Sequence, residues 1–174
     1  MLNCSNRPSV RDIIEKYNLI HHPEGGYFRE DFKSEIELPD HITKRGSRSL
    51  ITTCYYLIPK GERSIFHKLT SVEIWNFLCG DPVDFYEIDA EGHLTHSVLG
   101  TNINAGQELK HLVKPHTWFG VLPQDGTEYA FFSAIVFPGF EFEDWEPGNR
   151  TYLKKLCPQA SFLIDRLTPE LYEK

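Results

Sequence analysis

Residues 61–80 read GERSIFHKLTSVEIWNFLCG and decide the fold, because they hold two β-prone apolar runs between flanking glycines. Alternate residues of a strand project from the same face, so His67 and Leu69 are predicted to point together into an interior. The following strand is predicted to return Glu73 to the same side. Two imidazoles and a carboxylate there would form a facial metal site, but Leu69 stands where the second imidazole is wanted. The stretch therefore predicts an enclosed pocket and leaves a metal ion open.

The length and aromatic content of the chain favour one β-rich domain. The 174 residues have the length of a single domain, predicted to span 1–174 with its barrel at about 20–146. Twelve Phe, eight Tyr and three Trp favour strands and a pocket-bearing β structure over a helix bundle.

Charge and cysteine usage narrow the partners and the compartment. The net charge is −7 and no Lys/Arg-rich run appears, which argues against nucleic-acid binding. The first ten residues carry no apolar signal segment, and no run approaches membrane-spanning length. Cys4, Cys54, Cys79 and Cys157 are scattered without a C-x-x-C pair, so free thiols in a reducing compartment are expected. These features predict a soluble cytoplasmic protein without a membrane partner.

The order of segments predicts an antiparallel β body between two short helices. Ser9 to Ile20 shows helical apolar spacing with Ser9 as the cap, the polar segment 33–48 is predicted to be a surface loop, and ASFLIDRL is predicted to form one closing helix. Between them lie short β-prone runs separated by Gly, Pro and Asp: SLITTCYYLIP, SVEIWNFLCG, PVDFYEID, HLTHSVLG, QELKHLVKP, WFGVLP and EYAFFSAIVFPGF. Strands of this length and spacing build a sandwich or a barrel, and an aromatic-lined barrel can hold a ligand.

Four sequence blocks, in order, resemble the Cupin_5-type domain of unknown function, a branch of the RmlC-like cupins. They are HPEGGYFRE at 22–30, FHKL with EIWNFLCGDP at 66–82, PHTWFG at 115–120 and VFPGFEFEDWE at 136–146. The resemblance implies an all-β fold, an antiparallel double-stranded β-helix (the cupin or jelly-roll barrel), with a pocket inside and often a homodimer. It implies no reaction, because one fold hosts many functions.

The first cupin motif is incomplete in this chain, which weakens the case for a metal. Its second histidine is replaced by Leu69, and the later ligand position of the second motif falls on Gly120. No cofactor is therefore expected. A divalent metal, if bound, would use His67 and Glu73, with His116 or Gln124 as an unexpected further ligand. A metal-dependent cupin dioxygenase on that set is an alternative function.

A second resemblance suggests proton-transfer chemistry. RSIFHK at 63–68 is loosely similar to the Arg-Gly-Leu-His segment of sugar-nucleotide epimerases in the same superfamily. The resemblance implies that Arg63 contacts the anionic part of a ligand and that His67 removes a proton beside a carbonyl. A histidine polarised by a carboxylate such as Glu73 is a plausible general base. His67, Glu73 and Arg63 are therefore the candidate catalytic residues.

The walls of the pocket are predicted to be mainly aromatic. The candidate ligand-binding residues are Glu24, Tyr27, Arg29, Tyr55, Trp75, Trp118, Phe119 and Phe140. Most aromatic side chains of a small barrel fill its core, and the remaining histidines, His21, His41, His93, His96 and His111, are predicted to face solvent.

The sequence leaves three functions open. The leading one is a small-molecule-binding cupin whose ligand is polar or anionic, with a sugar-related compound as one option, and is held near His67 and Glu73. Whether the ligand is turned over is open, and the enzymatic version is an isomerase or epimerase reaction. The second is the metal-dependent dioxygenase, and the third is a non-catalytic ligand sensor or interaction module. A homodimer sharing N-terminal segments is expected, because exposed strand edges are usually paired.

Overall fold

Besides short 3-10 turns, thirteen β-strands and four short α-helices lie within residues 7–169, the part of the chain that the computed structural model describes. In chain order they are α1 (Val10–Tyr17), β1 (Ile20–His21), β2 (Tyr27–Lys33), β3 (Glu37–Leu38), α2 (Asp40–Thr43), β4 (Arg48–Ser49), β5 (Thr52–Pro59), β6 (Ser64–Leu69), β7 (Val72–Gly80), β8 (Val83–Ile88), β9 (Leu94–Leu99), β10 (Lys110–Val113), β11 (Trp118–Pro123), β12 (Tyr129–Phe137), β13 (Trp145–Pro147), α3 (Arg150–Leu156) and α4 (Ser161–Leu167).

Two antiparallel sheets form the barrel. The six-stranded sheet has the order β1-β2-β5-β12-β7-β10, and the five-stranded sheet has the order β13-β6-β11-β8-β9. A separate ribbon pairs β3 with β4. The prediction of an all-β antiparallel barrel of the jelly-roll type is confirmed.

A core of inward-facing aromatic rings joins the two sheets. Trp75 and Phe132 come from the six-stranded sheet, and Phe85 and Phe119 come from the five-stranded sheet; all four are buried. The rings of Phe85 and Phe119 stack with centroids 5.5 Å apart, and Trp75 meets Phe132 edge-on at 5.2 Å. These offset and edge-on contacts are the favoured geometries for aromatic pairs. The core fills one part of the interior and leaves a cavity beside it.

The helix α1 forms as the sequence predicts and covers the outer face of the six-stranded sheet. The Ser9 hydroxyl accepts from the backbone N–H of Asp12, and the Asp12 carboxylate accepts from the backbone N–H of Ser9, which completes a capping box. Ile13 is the buried residue of this helix, and it packs in a cluster that includes Tyr55 and Phe131. The helix ends at Tyr17, three residues earlier than predicted.

The C-terminal region differs from the prediction, since two helices form where one was expected. The additional helix α3 begins after Asn149, whose side chain accepts from the backbone N–H of Tyr152. With α4 it packs on the outer face of the five-stranded sheet, where Leu153, Ile164 and Trp118 are buried in one cluster. The segment 33–48 is also more structured than a loop, because it holds the end of β2, the strand β3 and α2.

The described cysteines are unpaired by disulfides, and the described helices are short. Cys54, Cys79 and Cys157 are free thiols, as predicted, whereas Cys4 lies outside the described residues. Within residues 7–169, none of the helices has both the length and the apolar composition needed to cross a bilayer.

A tight turn at residues 22–26 brings the N-terminal segment onto the barrel. The backbone N–H of Gly25 donates to the carbonyl of His22, and the N–H of His22 donates to the carbonyl of Gly26. Gly25 has a φ of +107°, and a Cβ at this position would collide with the carbonyl oxygen of Arg63. Only glycine satisfies both the dihedral angle and the close approach.

The variant Gly25→Ala tests this constraint. We expect it to lower the free energy of unfolding by about 3 kcal/mol, because a positive φ and a backbone collision act together. Gly126→Ala is the matched control, since Gly126 has a φ of +88° but no atom near its added Cβ, and it should lose only about 1 kcal/mol. Urea denaturation measures both values, and equal losses would contradict the collision.

Candidate functional site

A cavity lies between the sheets, next to the aromatic core. Its volume is about 50 Å³. Its apolar lining consists of Phe28, Leu69, Trp75, Ala134, Val136, Phe140 and Trp145. Its polar lining consists of His22, Glu24, Glu30, Thr52, Thr53, Cys54, Tyr56, His67 and Glu73.

The alternation of strand residues places the key side chains as the sequence predicts. His67 and Leu69 lie two residues apart on β6, and both line the cavity. Glu73 and Trp75 are likewise two residues apart on β7 and face the same space. Leu69 therefore lies at the place where a second imidazole would enter the cavity.

The centre of the polar end is a buried contact between Glu24 and His67. Glu24 Oε2 lies 3.1 Å from His67 Nε2, and the Ser64 hydroxyl donates to Glu24 Oε1 at 3.1 Å. Burial alone would raise the pKa of Glu24, but the charge on His67, with smaller contributions from other neighbours, holds that pKa below its ordinary value. The carboxyl group of Glu24 is therefore ionised at neutral pH.

Both ring nitrogens of His67 face oxygen acceptors. Nδ1 lies 2.7 Å from the carbonyl oxygen of Ile65, and Nε2 faces the carboxylate of Glu24. Both partners are oxygen acceptors, so they hold the ring of His67 in one orientation between Ile65 and Glu24. His67 and Glu24 thus form a buried, hydrogen-bonded pair.

His22 lies on the other side of Glu24 and is neutral. Its Nδ1 accepts from the backbone N–H of Glu24 at 3.2 Å and lies 3.5 Å from the Glu24 carboxylate. Burial is the largest influence on His22 and lowers its pKa. Because Nδ1 accepts, the proton of the neutral ring is on Nε2.

Glu73 is a buried carboxyl group that stays protonated. Burial, reinforced by the negative charge of Glu24, raises the pKa of Glu73 well above its ordinary value. Its Oε2 atom is buried without a hydrogen-bond partner, and the same holds for Nε1 of Trp75. The Trp75 indole offsets part of the pKa shift but is not aligned to bond the carboxyl group. Two polar groups in this cavity therefore lack partners within the described chain.

The cavity residues do not form a convergent metal site. Within residues 7–169, the three side chains that bring ligand atoms within 4.8 Å of one another are Asp89, Glu91 and His93, in the exposed turn after β8. The cavity histidines and carboxylates do not converge in this way. His67 also has both nitrogens engaged by oxygen atoms, so the donors present do not fit a tightly held transition metal.

The later ligand position of the cupin motif falls elsewhere than the sequence frame predicts. Gly120 faces outward, because a Cβ there would meet the Leu167 side chain of α4. The inward neighbour is Phe119, whose ring lies 4.1 Å from the ring of His67. His116 is exposed outside the cavity lining, and Gln124 donates to Asp84. Neither therefore joins His67 and Glu73 as a further metal ligand.

Four of the predicted site residues besides His67 and Glu73 lie in or directly behind the cavity. Glu24, Trp75 and Phe140 line it, and Phe119 supports His67 from the core. Arg63 lies instead on the outer surface, in a groove with Lys60 and Arg166. The role predicted for Arg63 beside His67 has no support in its position, because Arg63 precedes β6 and belongs to the turn that enters it.

Four other predicted binding residues face away from the cavity. Tyr27 and Tyr55 pack in the cluster beneath α1, Arg29 is exposed, and Trp118 packs beneath the C-terminal helices. Each has an inward neighbour one residue away on its strand, and the lining side chains are Phe28, Glu30 and Tyr56, with Phe119 behind them. On β2 and β5 the predicted residues Tyr27, Arg29 and Tyr55 are one residue out of phase with the lining, whereas the inward faces of β6 and β7 are as predicted.

Sequence reasoning missed His22, Tyr56 and the environment of His111. His22 opens the quoted block HPEGGYFRE, and the turn that follows it was the available signal. Tyr56 required the correct strand phase. His111, predicted to face solvent, is only 17% exposed and contacts Glu87. No local sequence pattern marks that contact, because Glu87 and His111 belong to strands of different sheets.

Comparisons with known proteins agree with this fold. The model of Cupin_5, described as Cupin superfamily (DUF985), matches residues 11–147. The uncharacterized protein YML079W of Saccharomyces cerevisiae is 30% identical over 159 residues, which cover 84% of this chain and 76% of that protein. A hypothetical protein from Leishmania major has a TM-score of 0.85 at 28% identity and covers 94% of this chain and 100% of its own. Protein SO0799 from Shewanella oneidensis has a TM-score of 0.84 at 31% identity and covers 94% and 99%.

The variant Glu73→Gln tests the protonation of Glu73. Because the folded-state pKa is raised, its contribution to stability is present below the ordinary pKa of 4.5 and is lost as pH rises toward the folded-state pKa. Glutamine does not titrate. We therefore expect the stability of Glu73→Gln relative to wild type to increase by about 1.4 kcal/mol per pH unit above about pH 5.

Denaturant unfolding at intervals of about one pH unit between pH 5 and 8 measures this difference. Glu108→Gln, at an exposed glutamate, is the matched control and should differ from wild type by the same amount at every pH. A pH-independent difference for Glu73→Gln would show that Glu73 is ionised in the folded protein.

Proposed function

Since the chain belongs to the Cupin_5 family of the cupin superfamily, we propose that it binds a small, uncharged polar molecule inside the barrel. The observation that carries this proposal is the pair of unpartnered buried groups, Glu73 Oε2 and Trp75 Nε1. A buried polar group without a partner costs about 1–3 kcal/mol, so such groups normally meet a ligand or an ordered water. A ligand oxygen accepting from both groups would satisfy them.

The charge of the lining favours a neutral ligand over an anion. Among the described residues, no lysine or arginine lines the cavity, which carries Glu24, Glu30 and Glu73. His67 is already paired with Glu24. Because the protonated Glu73 and the Trp75 indole are both donors, a carbonyl oxygen is the group that fits them. This narrows the expected polar or anionic ligand to a neutral carbonyl compound.

The volume of the cavity limits the ligand to a few non-hydrogen atoms. Pockets for drug-sized molecules enclose about 300–1,000 Å³, whereas the volume of this cavity is about 50 Å³. Phe140 and Trp145 close the space on the side of the 138–147 segment. A sugar nucleotide exceeds this space, so the proposed ligand is smaller than the sugar-related compound that the sequence suggested.

Proton transfer on the bound carbonyl compound is the second candidate function, as in an isomerase or epimerase. It is favoured by one observation: the Glu24–His67 pair, with its 3.1 Å contact, lies in the same cavity as the donors of Glu73 and Trp75. The Glu24–His67 pair would supply the base in this proposal, and Glu73 and Trp75 rather than Arg63 would stabilise the developing negative charge. The sensor alternative corresponds to binding without turnover.

Binding of acetamide and acetone tests the proposal, because each presents a carbonyl oxygen within about four non-hydrogen atoms. We expect both to shift the NMR signal of the Trp75 indole N–H, one of three tryptophan signals. Acetate should bind more weakly, since it adds a negative charge to an acidic cavity. Trp75→Phe should weaken acetamide binding about tenfold, the effect of losing one hydrogen bond worth about 1.4 kcal/mol.

Two pairs of variants serve as controls. Trp118→Phe, beneath the C-terminal helices, should bind acetamide as wild type does, because Trp118 lies outside the cavity. Glu73→Gln keeps a donor and should keep binding, whereas Glu73→Leu should lose it. Preferential binding of acetate, or unchanged binding by Glu73→Leu, would refute the proposal.

We also propose that the cavity works without a metal, because its donors do not converge. Elemental analysis of protein purified without chelators should show far less than one transition metal per chain, and iron, manganese, nickel or zinc should leave the melting temperature unchanged. A stoichiometric metal that is lost in His67→Ala would instead support the dioxygenase alternative. Metal lost only on substitution of His93 would point to the exposed turn.

A further inference from the structure

A second polar cluster lies outside the cavity, between the two sheets. The Ser97 hydroxyl on β9 lies 3.2 Å from Nδ1 of His111 on β10, and Nε2 of His111 lies 2.8 Å from Oε2 of Glu87 on β8. The ring of His111 packs 4.3 Å from the ring of Phe85, which fixes its plane. Three side chains from three strands therefore form one continuous hydrogen-bonded line.

This line is the arrangement of an activated nucleophile. The Glu87 carboxylate accepts from Nε2 of His111, which leaves Nδ1 as the acceptor for the hydroxyl proton of Ser97. A hydroxyl, a base within hydrogen-bond reach and a third group that orients the base together define nucleophilic catalysis by serine. We propose that Ser97 and His111 form an acyl-transfer centre, in which Glu87 is the positioning residue.

The cluster is accessible to a substrate and separate from the cavity. The side chains of His111 and Glu87 are 17% and 18% exposed, and Ser97 is half-buried. The stacked rings of Phe85 and Phe119 stand between His111 and His67. β9 and β10 are the end strands of their sheets, and Glu108 bridges the edge of β9 by bonding the backbone of Val98 and Gly100, so the cluster lies where the two sheets meet.

The backbone N–H of the residue after Ser97 is directed to the edge of β9 rather than to β8. The backbone N–H of Asp89 donates to the carbonyl of His93, so these two residues form a hydrogen-bonded pair between the strands. Such pairs recur at every second residue of an antiparallel ladder, and Ser97 and Phe85 are therefore also a hydrogen-bonded pair. The N–H of Val98 then points away from β8, on the edge where the Val98 carbonyl accepts from Glu108. The residue after the nucleophile supplies one oxyanion donor in α/β-hydrolases.

The substrate class is a small, unhindered acyl ester, because the side chains of His111 and Glu87 are only 17% and 18% exposed and leave little room for a bulky group. Ser97 Oγ would form a bond to the ester carbonyl carbon while its proton moves to His111 Nδ1. The bond from that carbon to the leaving oxygen then breaks, and His111 returns the proton to this oxygen. In the second step a water molecule attacks the acyl carbon while its proton moves to His111 Nδ1. The bond from that carbon to Ser97 Oγ then breaks, and His111 returns the proton to Oγ, which releases the acid and restores the serine hydroxyl.

A fluorophosphonate probe tests the nucleophile directly, because Ser97 Oγ displaces fluoride from phosphorus and the hydroxyl proton passes to His111. We expect intact-mass and peptide analysis to find one adduct per chain, on Ser97, and slow hydrolysis of p-nitrophenyl acetate. Ser97→Ala should abolish both, and Ser133→Ala, at a half-buried serine on β12, should leave both unchanged.

Two further variants separate positioning from structure. Glu87→Gln can still accept from Nε2 of His111 but carries no charge, so labelling should slow at least about tenfold while the melting temperature stays the same. His111→Phe keeps a ring against Phe85 without a nitrogen and should not label. Absence of labelling in folded wild-type protein, labelling that survives Ser97→Ala, or a wild-type rate in Glu87→Gln would overturn the proposal.

Discussion

The buried carboxylate of Glu24 is the constraint on which the site depends, since it joins the N-terminal turn to β6. Its side chain meets His67 and Ser64, its backbone carbonyl accepts from Ile65, and the Tyr56 hydroxyl donates to the adjacent carbonyl of Gly25. A buried charge is tolerated only when partners of this kind surround it, and removing one partner of such a pair typically costs about 3–5 kcal/mol. The same contacts therefore close the barrel and set the charge of its cavity.

The state of Glu73 follows from Glu24. Two carboxyl groups in one small apolar space do not both ionise readily, so Glu24, which faces His67 and Ser64, carries the charge and the pKa of Glu73 is raised. The cavity therefore holds two carboxyl groups whose pKa values are shifted in opposite directions. Leu69 lines the cavity at the place where the cupin motif has its second histidine, and Phe119 is the inward neighbour of Gly120, beside His67.

The interior of the barrel thus holds two histidine clusters on either side of an aromatic core. His67 rests on Phe119, Phe119 stacks on Phe85, and Phe85 supports His111. The rings keep both imidazoles in fixed planes while separating their hydrogen-bonded partners. One barrel can therefore carry two independent sites, one enclosed and one at a sheet edge.

The sequence by itself determined the class of fold, the family and the inward direction of His67, Leu69 and Glu73, because strand alternation and turn residues are local properties. The helix α1 was equally readable from its cap. The sequence did not determine which face of a strand meets the cavity, because that choice depends on which neighbouring layer covers each side. Tyr55 and Tyr56 are an example. The homodimer and the compartment stay predictions.

Only the tertiary structure decided which charged groups share a space. Glu24 and His67 are 43 positions apart, and Ser97, Glu87 and His111 lie on three strands in two sheets. Their protonation states depend on burial and on distances of about 3 Å, which arise when the sheets close on each other. A sequence records the residue types, whereas the closing of the barrel makes them chemical partners.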